Sequence, residues 1–243
     1  MHHFFVPPSA IQGNLVSFPA QTERQIQRVL RLNAGDSVIV LDNSGKMYES
    51  TLAFDGHKVT GSIVGTNDSG TEPVVKIRLM ACVSQREKYE WILQKGTELG
   101  VSEFLPVISQ RTLVQKSAAI DKKRSRWETI IQEAAEQSHR GKLPILLDVM
   151  KFGDVVKQAA SDACNLIAHT SSKMNSLKSV LKVNDKLTFN LLVGPEGGFS
   201  DGEVSTAVEA GYQPVSLGTR ILRMETAALA IVNSVLFYSS SND

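Results

Sequence analysis

Downstream of residue 73 the sequence switches repeatedly between strand-like apolar runs and amphipathic helical stretches, and this alternation limits the fold more than any other feature. Residues 74–83 read as a strand, residues 87–99 as a helix with Tyr89, Ile92, Leu93 and Leu99 apolar, and residues 103–108 as a strand. Residues 122–138 predict a long helix with Trp127, Ile130, Ile131, Ala134 and Ala135 on its inner side. A helix over 152–160 and strands over 164–169 and 187–193 come next. A helix over 201–210, a strand over 214–217 and a last helix over 225–237 complete the series. Alternation of this kind gives an α/β domain with a mostly parallel sheet and helices on both faces. Ligands of such sheets bind beyond the carboxyl ends of the strands, which directs attention to the turns at His169, Gly194 and Gly218.

The first seventy residues read differently. An apolar run at 38–41, a turn at 43–45 and a returning stretch at 47–54 predict a hairpin, and Asp55-Gly56 turns the chain again into 58–64. Short strands at this spacing suggest a small barrel. A helix over 22–32 interrupts them, with Ile26, Val29 and Leu30 on one face and Arg24, Arg28 and Arg31 projecting together, and Gly35 ends it. The polar, glycine- and proline-containing stretch 66–73 reads as a linker, so the expected domains are residues 1–72 and 73–243.

The length of 243 residues accommodates two domains of ordinary size. A hydrophobic fraction of 42% with 21% charged residues is globular composition and excludes a disordered, collagenous or coiled-coil chain. No apolar run reaches the roughly 18–20 residues that cross a bilayer; the best, 227–237, is interrupted by Asn233 and Ser234. No basic stretch precedes an apolar one at the start, and Cys82 and Cys164 lie in apolar strand-like runs as expected buried thiols, so the expected compartment is the reducing cytoplasm. The net charge is +1, but residues 1–72 carry a net −2 and residues 73–243 a net +3. The excess is concentrated at 109–142, where eight basic residues face four acids. A polyanion would be met by patches and not by the overall charge, although Lys122, Lys123, Arg124 and Arg126 read equally well as a solvated helix face.

Four segments could carry chemistry. Residues 191–200 run from an apolar strand into Gly194-Pro195-Glu196-Gly197-Gly198, with Ser200 and Glu203 at capping-box spacing. The glycines allow close backbone approach, but neither the P-loop nor the dinucleotide fingerprint is present, and Glu196 would repel a phosphate. The segment reads either as a tight capped turn or as a loop for an adenosine-bearing, phosphate-free ligand such as S-adenosylmethionine. In the second segment, residues 216–228, a strand ends at Leu217 and a loop with apolar Ile221 and Leu222 leads to a helix near Glu225. Arg223 and Glu225 there are either a local ion pair with the helix N-terminus or charges at a ligand site. The third, residues 93–101, ends a helix at Gly100 with Gln94, Lys95 and Glu98 sharing a face. The fourth, residues 133–140, ends a helix in small residues with His139 and Arg140. Ser–His–Asp sets and metal-ligand spacings are absent from the sequence.

Taken together these segments resemble the 16S ribosomal RNA methyltransferase E family, within the SPOUT class of knotted methyltransferases. The resemblance rests on Arg28-Val29-Leu30-Arg31 with Gly35-Asp36, and on Gln94-Lys95 with Thr97-Glu98-Leu99-Gly100-Val101. It continues through Glu133-Ala134-Ala135-Glu136-Gln137-Ser138 with Arg140 and Pro144, and through Gly194-Pro195-Glu196-Gly197-Gly198-Phe199-Ser200 with Glu203. Leu217-Gly218 and Arg220-Ile221-Leu222-Arg223 with Glu225-Thr226-Ala227 complete it. Gln25 and Gln110-Arg111-Thr112 differ from the residues usual in the family.

The resemblance implies a PUA-like small β-barrel before a SPOUT α/β domain with a deep trefoil knot, a homodimer, and S-adenosylmethionine as cofactor. It implies methylation of N3 of one uridine in helix 44 of 16S rRNA, in the decoding region of the small ribosomal subunit, with no metal and no membrane. The cofactor is expected at His169, Val193, Gly194, Pro195, Glu196, Gly197, Gly198, Leu217, Gly218, Ile221 and Leu222. Arg223 is expected to stabilise charge on the uracil and Glu225 or Glu196 to take its proton. RNA contacts are expected from Arg24, Arg28, Arg31, Lys95, Arg111 and Arg140. The competing expectations are a non-catalytic RNA-binding assembly factor on the same fold and a nucleotide-dependent oxidoreductase using the Gly194 loop.

Overall fold

The computed structural model describes residues 1–115, 117–170 and 175–240. The chain divides into two compact units, residues 1–72 with 132–143, and residues 73–131 with 144–243.

In the first unit, β1 (His2–Phe5), β2 (Ile11–Gln12) and β3 (Leu15–Ser17) precede a short helix, α1 (Ala20–Arg24). β4 (Ser37–Leu41), β5 (Lys46–Asp55) and β6 (Lys58–Asp68) come after it. They form one mixed sheet in the order β1-β4-β5-β6-β3-β2, in which β1 runs parallel to β4 and the other pairs are antiparallel. Its core gathers Phe4, Val16, Phe18, Ile26, Val38, Val40, Leu52 and Val59.

Two expectations change here. The helix over 22–32 is α only to Arg24 and continues as a π turn over Gln25–Val29, where the Leu30 amide donates to Gln25 O at 2.9 Å. A π turn inserts an extra residue and rotates the side chains beyond it. Ile26 is therefore fully buried while Val29, expected on the same face, is 72% exposed. The stretch expected to be a linker from residue 66 is strand to Asp68, its polar residues pairing with Lys46, Met47 and Tyr48 at the solvated end of the hairpin.

The second unit begins with β7 (Lys76–Cys82), α2 (Arg86–Leu99) and β8 (Glu103–Ile108). α3 (Ser117–Asp121), α4 (Arg124–Gln137), β9 (Ile145–Leu146), β10 (Met150–Lys151) and α5 (Phe152–Val156) come next. The remaining elements are β11 (Cys164–Ala168), β12 (Asn175–Ser176), α6 (Leu177–Lys182), β13 (Thr188–Val193), α7 (Asp201–Glu209), β14 (Gln213–Ser216) and α8 (Met224–Ser240). The strands pair in the order β10-β8-β7-β13-β11-β14-β12, β9 also joins β8, and every pair is parallel. Central strands of such a sheet are covered on both faces, so their sequences are continuous apolar runs and not alternating ones. Phe189, Leu191, Leu192 and Val193 of β13 and Leu166 and Ile167 of β11 are accordingly buried.

One polar pair crosses this core. Asn190 and Asn165 are register partners on β13 and β11, and Asn190 Nδ2 donates to Asn165 Oδ1 at 2.7 Å. Asn165 Nδ2 donates in turn to Ala160 O at 2.8 Å. Burial without these bonds would cost each amide its solvation. Both thiols are buried, as expected, and desolvation pushes Cys82 up to about 12 and Cys164 up to about 11. No helix among the described residues is long and apolar enough to cross a membrane, and none of their His, Cys, Asp and Glu side chains cluster as a metal site.

Candidate active site: a cleft at three strand ends

The register of the second sheet places Val193, Ala168 and Val215 side by side on β13, β11 and β14. Parallel strands end on the same side, so the three loops beyond them leave the sheet together. They enclose a cleft of about 650 Å³, within the range of small-molecule sites. His169, Val193, Gly194, Pro195, Glu196, Gly197, Gly198, Leu217, Gly218, Ile221, Leu222 and Arg223 all line it. The segments 193–198 and 217–223, far apart in sequence, are thus brought to one place.

Local chemistry explains each loop. β13 ends at Val193, and a Cβ on Gly194 would stand 3.1 Å from the Phe199 ring, so a side chain there would crowd that ring, and glycine avoids it. The Gly198 amide donates to Pro195 O at 2.8 Å, and Gly198 has φ +67°, the left-handed region glycine enters without strain. Ser200 then caps α7. The Glu203 amide donates to Ser200 Oγ at 3.3 Å and the Ser200 amide donates to Glu203 Oε2 at 2.9 Å, which makes the expected capping box. After β14, Ser216 Oγ donates to Gly218 O at 3.0 Å and bends the chain at Gly218, whose φ is +123°. The His169 amide donates to Val215 O at 3.1 Å and fixes the third loop against β14.

The charges are unevenly distributed. Arg223 and Arg220 are exposed at the cleft. Glu225 sits in the first turn of α8, one residue beyond the lining Met224; its Oε2 is buried and has no hydrogen-bond partner among the described residues. Glu196 is paired with Lys88 Nζ at 3.0 Å. Lys88 lines the cleft from α2 and was missed in the sequence, where 108 positions separate it from Glu196. Phe199, Ser216, Met224 and Ala227 also line it, outside the set expected to hold the cofactor.

The residues expected to touch RNA are divided between the two units. Arg24, Arg28 and Arg31 are exposed in the first unit, with Arg31 at φ +53°. Lys95 is half-buried and holds Glu98 at 2.7 Å. Arg111 is exposed but donates through Nη1 to Gly197 O at 2.7 Å. Arg140 is 4% exposed, and its Nη2 is paired with Glu72 at 2.6 Å, because a guanidinium taken from water needs a carboxylate. Lys116, counted in the basic segment, lies outside the described residues.

A cleft of this size across the carboxyl ends of a parallel sheet is a candidate small-ligand site, and comparison with known proteins gives the class of the chain. Residues 71–236 match the family described as RNA methyltransferase domain. The chain is 35% identical over 240 residues to the ribosomal RNA small subunit methyltransferase E of Synechocystis, covering 97% of this chain and 78% of that protein. It is 31% identical over 228 residues to the protein of the same name from Bacillus subtilis, covering 91% and 89%. The chain belongs to the ribosomal RNA small subunit methyltransferase E family. Among solved structures, the family member from Neisseria gonorrhoeae bound to S-adenosylmethionine superposes with a TM-score of 0.88 at 31% identity, over 96% of each chain. A candidate methyltransferase from Legionella pneumophila, in complex with the same cofactor, superposes at 0.87 with 28% identity over 96% of each chain.

Proposed function

We propose that this chain is an S-adenosylmethionine-dependent methyltransferase acting on N3 of one uridine in helix 44 of 16S rRNA, in the decoding region of the small ribosomal subunit. The observation that carries the reading is the cleft at the ends of β11, β13 and β14. Its lining fits the cofactor. Val193, Leu217, Leu222 and Met224 offer apolar surface for an adenine ring, and glycines at 194, 197, 198 and 218 leave the backbone open to its polar edges. The expected set from His169 to Leu222 would hold it there. The cofactor supplies the methyl group; the chain supplies binding, orientation and charge.

The uracil edge must be exposed and N3 must lose its proton before its lone pair can attack. Base flipping is the general way to expose such an edge. Arg223, exposed at the cleft, would stabilise the negative charge that deprotonation leaves on a uracil oxygen. Glu225 is the favoured proton acceptor, because its buried Oε2 has no hydrogen-bond partner among the described residues, whereas Glu196 is already engaged by Lys88. RNA backbone would meet Arg24, Arg28 and Arg31, and such contacts position RNA without reading its sequence. Lys95 would join them only by exchanging its partner Glu98.

The same reading includes a PUA-like barrel over the first unit, a homodimer, a cytoplasmic site of action and a trefoil knot in the second unit. Support for the knot is the strand order, in which β13 inserts between β7 and β11 and β14 takes the opposite side of β11.

The test incubates the purified chain with S-adenosylmethionine and small ribosomal subunits lacking the modification, then maps methylated nucleotides by mass spectrometry. One N3-methyluridine in helix 44 is expected. Methylation at another atom or nucleotide overturns the substrate assignment. RNA binding without methyl transfer identifies an assembly factor instead.

A further inference from the structure

We infer that Arg111 and Glu203 form a reciprocal clasp that holds the glycine-rich loop of the cleft in shape, and that both are positioning residues for the cofactor. The inference rests on the reading that this cleft binds S-adenosylmethionine.

Arg111 was expected to meet RNA, but its guanidinium is directed to the protein. Nη1 donates to Gly197 O at 2.7 Å, and a Cβ built on Gly197 would meet Arg111 Cδ at 3.4 Å, so the side chain lies along that glycine. Glu203 reaches the other way. Its Oε1 accepts the Gln110 amide at 2.8 Å while its Oε2 accepts the Ser200 amide at 2.9 Å. A side chain from the loop after β8 thus binds the loop after β13, and a side chain from α7 binds the loop after β8.

The loop after β8 is a firm anchor. The Ser109 amide donates to Thr112 Oγ1 at 3.0 Å, and the Thr112 amide donates to Ser109 O at 3.2 Å. Ser109 and Thr112 are buried. In the loop after β13, Pro195 and Phe199 are buried, but Gly197 and Gly198 between them have no side chain of their own to hold the backbone. Glycines lose the most conformational freedom on ordering, and a site built on them needs outside support to stay preorganised. An Arg–carbonyl bond on one flank and a carboxylate on the other provide it.

Hydrogen exchange on the full chain without cofactor tests the clasp directly, using R111A, R111K and E203Q. Amides of residues 194–200 should exchange about five-fold faster in R111A, the loss of one partly solvated charged hydrogen bond. R111K should not restore protection, because an ammonium lacks the planar fork that reaches Gly197 while the side chain lies along the loop. E203Q should loosen the Gln110 side with α7 still capped. Titration with S-adenosylmethionine should then show about five-fold weaker binding and a raised KM for the cofactor in R111A, with kcat at saturation retained. Unchanged exchange over 194–200 in R111A overturns the clasp. Weaker RNA binding by R111A with loop exchange and cofactor affinity unchanged also overturns it and returns Arg111 to the RNA. If the wild type binds no cofactor, the cofactor reading and the positioning role fall together, while the exchange result still decides whether the two side chains hold the loop.

Discussion

The carboxylate of Glu72 takes the Arg140 guanidinium at 2.6 Å through one oxygen and the amides of Gly141 and Lys142 at 3.1 Å through the other. Four donors from a single bend of the chain, counting Arg140 Nε at 3.4 Å, therefore converge on one side chain. Removing Arg140 leaves a half-buried carboxylate short of its cation. R140A should lower the stability of the full chain by about 2–4 kcal/mol, read as a lower urea midpoint by circular dichroism. A variant of unaltered midpoint would show the pair to be dispensable.

Asn190 donates to Asn165 in a second buried polar contact, inside the parallel sheet. N190L removes the donor and strands Asn165 Oδ1 in the core, at a cost of about 1–3 kcal/mol. Replacing both side chains by leucine should cost less than the sum of the single changes, because no polar atom is then left unpaired. Thermal melts of the two single variants and the double variant measure the difference.

His3 stacks on His139 with ring centroids 4.0 Å apart, and its Nδ1 is buried without a partner among the described residues. Desolvation, then the neighbouring His139, holds its imidazole down to about 4 from an ordinary 6.5. The unfolded chain therefore takes up the proton first. Stability contributed by neutral His3 is whole above about pH 6.5 and is lost as pH falls toward 4. H3F keeps an aromatic ring for the stack and should flatten this part of the stability–pH curve, measured by urea unfolding from pH 4 to 8. An identical slope in the variant would assign it to other groups.

Under the proposed function, Arg223 would bear on turnover more than on the cofactor. R223A should lower methyl transfer by at least about 100-fold, the usual scale for removing a donor aimed at developing charge. Cofactor affinity by calorimetry should stay within about two-fold of wild type, since the proposed cofactor contacts are loop backbone and the apolar side chains Val193, Leu217, Leu222 and Met224. Retained turnover would remove Arg223 from the chemistry.

The thiols offer a simple check on the core. With Cys82 pushed up to about 12 and Cys164 up to about 11, both by burial, the thiolate needed for attack is scarce at pH 8. A disulfide reagent should release no colour from the native chain within minutes and two equivalents after denaturation. Rapid native labelling would place a cysteine at the surface.

Most of the second unit was legible because its signal is local. The strands at 103–108 and 187–193 and the capping box at Ser200 arise from apolar runs and neighbouring residue types, and the structure keeps them with little change. Features that depend on distant partners were not legible. β1 has a His-His-Phe-Phe sequence with no period of its own and becomes a strand by pairing with β4. α6 is a single short helix whose Leu177, Val180 and Leu181 are buried, too brief to show a periodicity. Residues 132–143 belong with the first unit although nothing in their composition separates them from the helix they end. In the site, the two main loops were readable as turns after strands, but the partner that engages each charge was not. Lys88 with Glu196, Arg111 with Gly197 and Arg140 with Glu72 are fixed by tertiary placement alone.

The side-by-side register of Ala168, Val193 and Val215 has a consequence for how such a chain can change. Neighbouring strands keep a spacing of about 4.8 Å regardless of the loops they carry, so the sheet behaves as a ruler on which three independent fingers are mounted. Lengthening or exchanging one finger alters the grip on a guest molecule while the graduations beneath stay put. Selectivity in this architecture is therefore open to redesign one segment at a time.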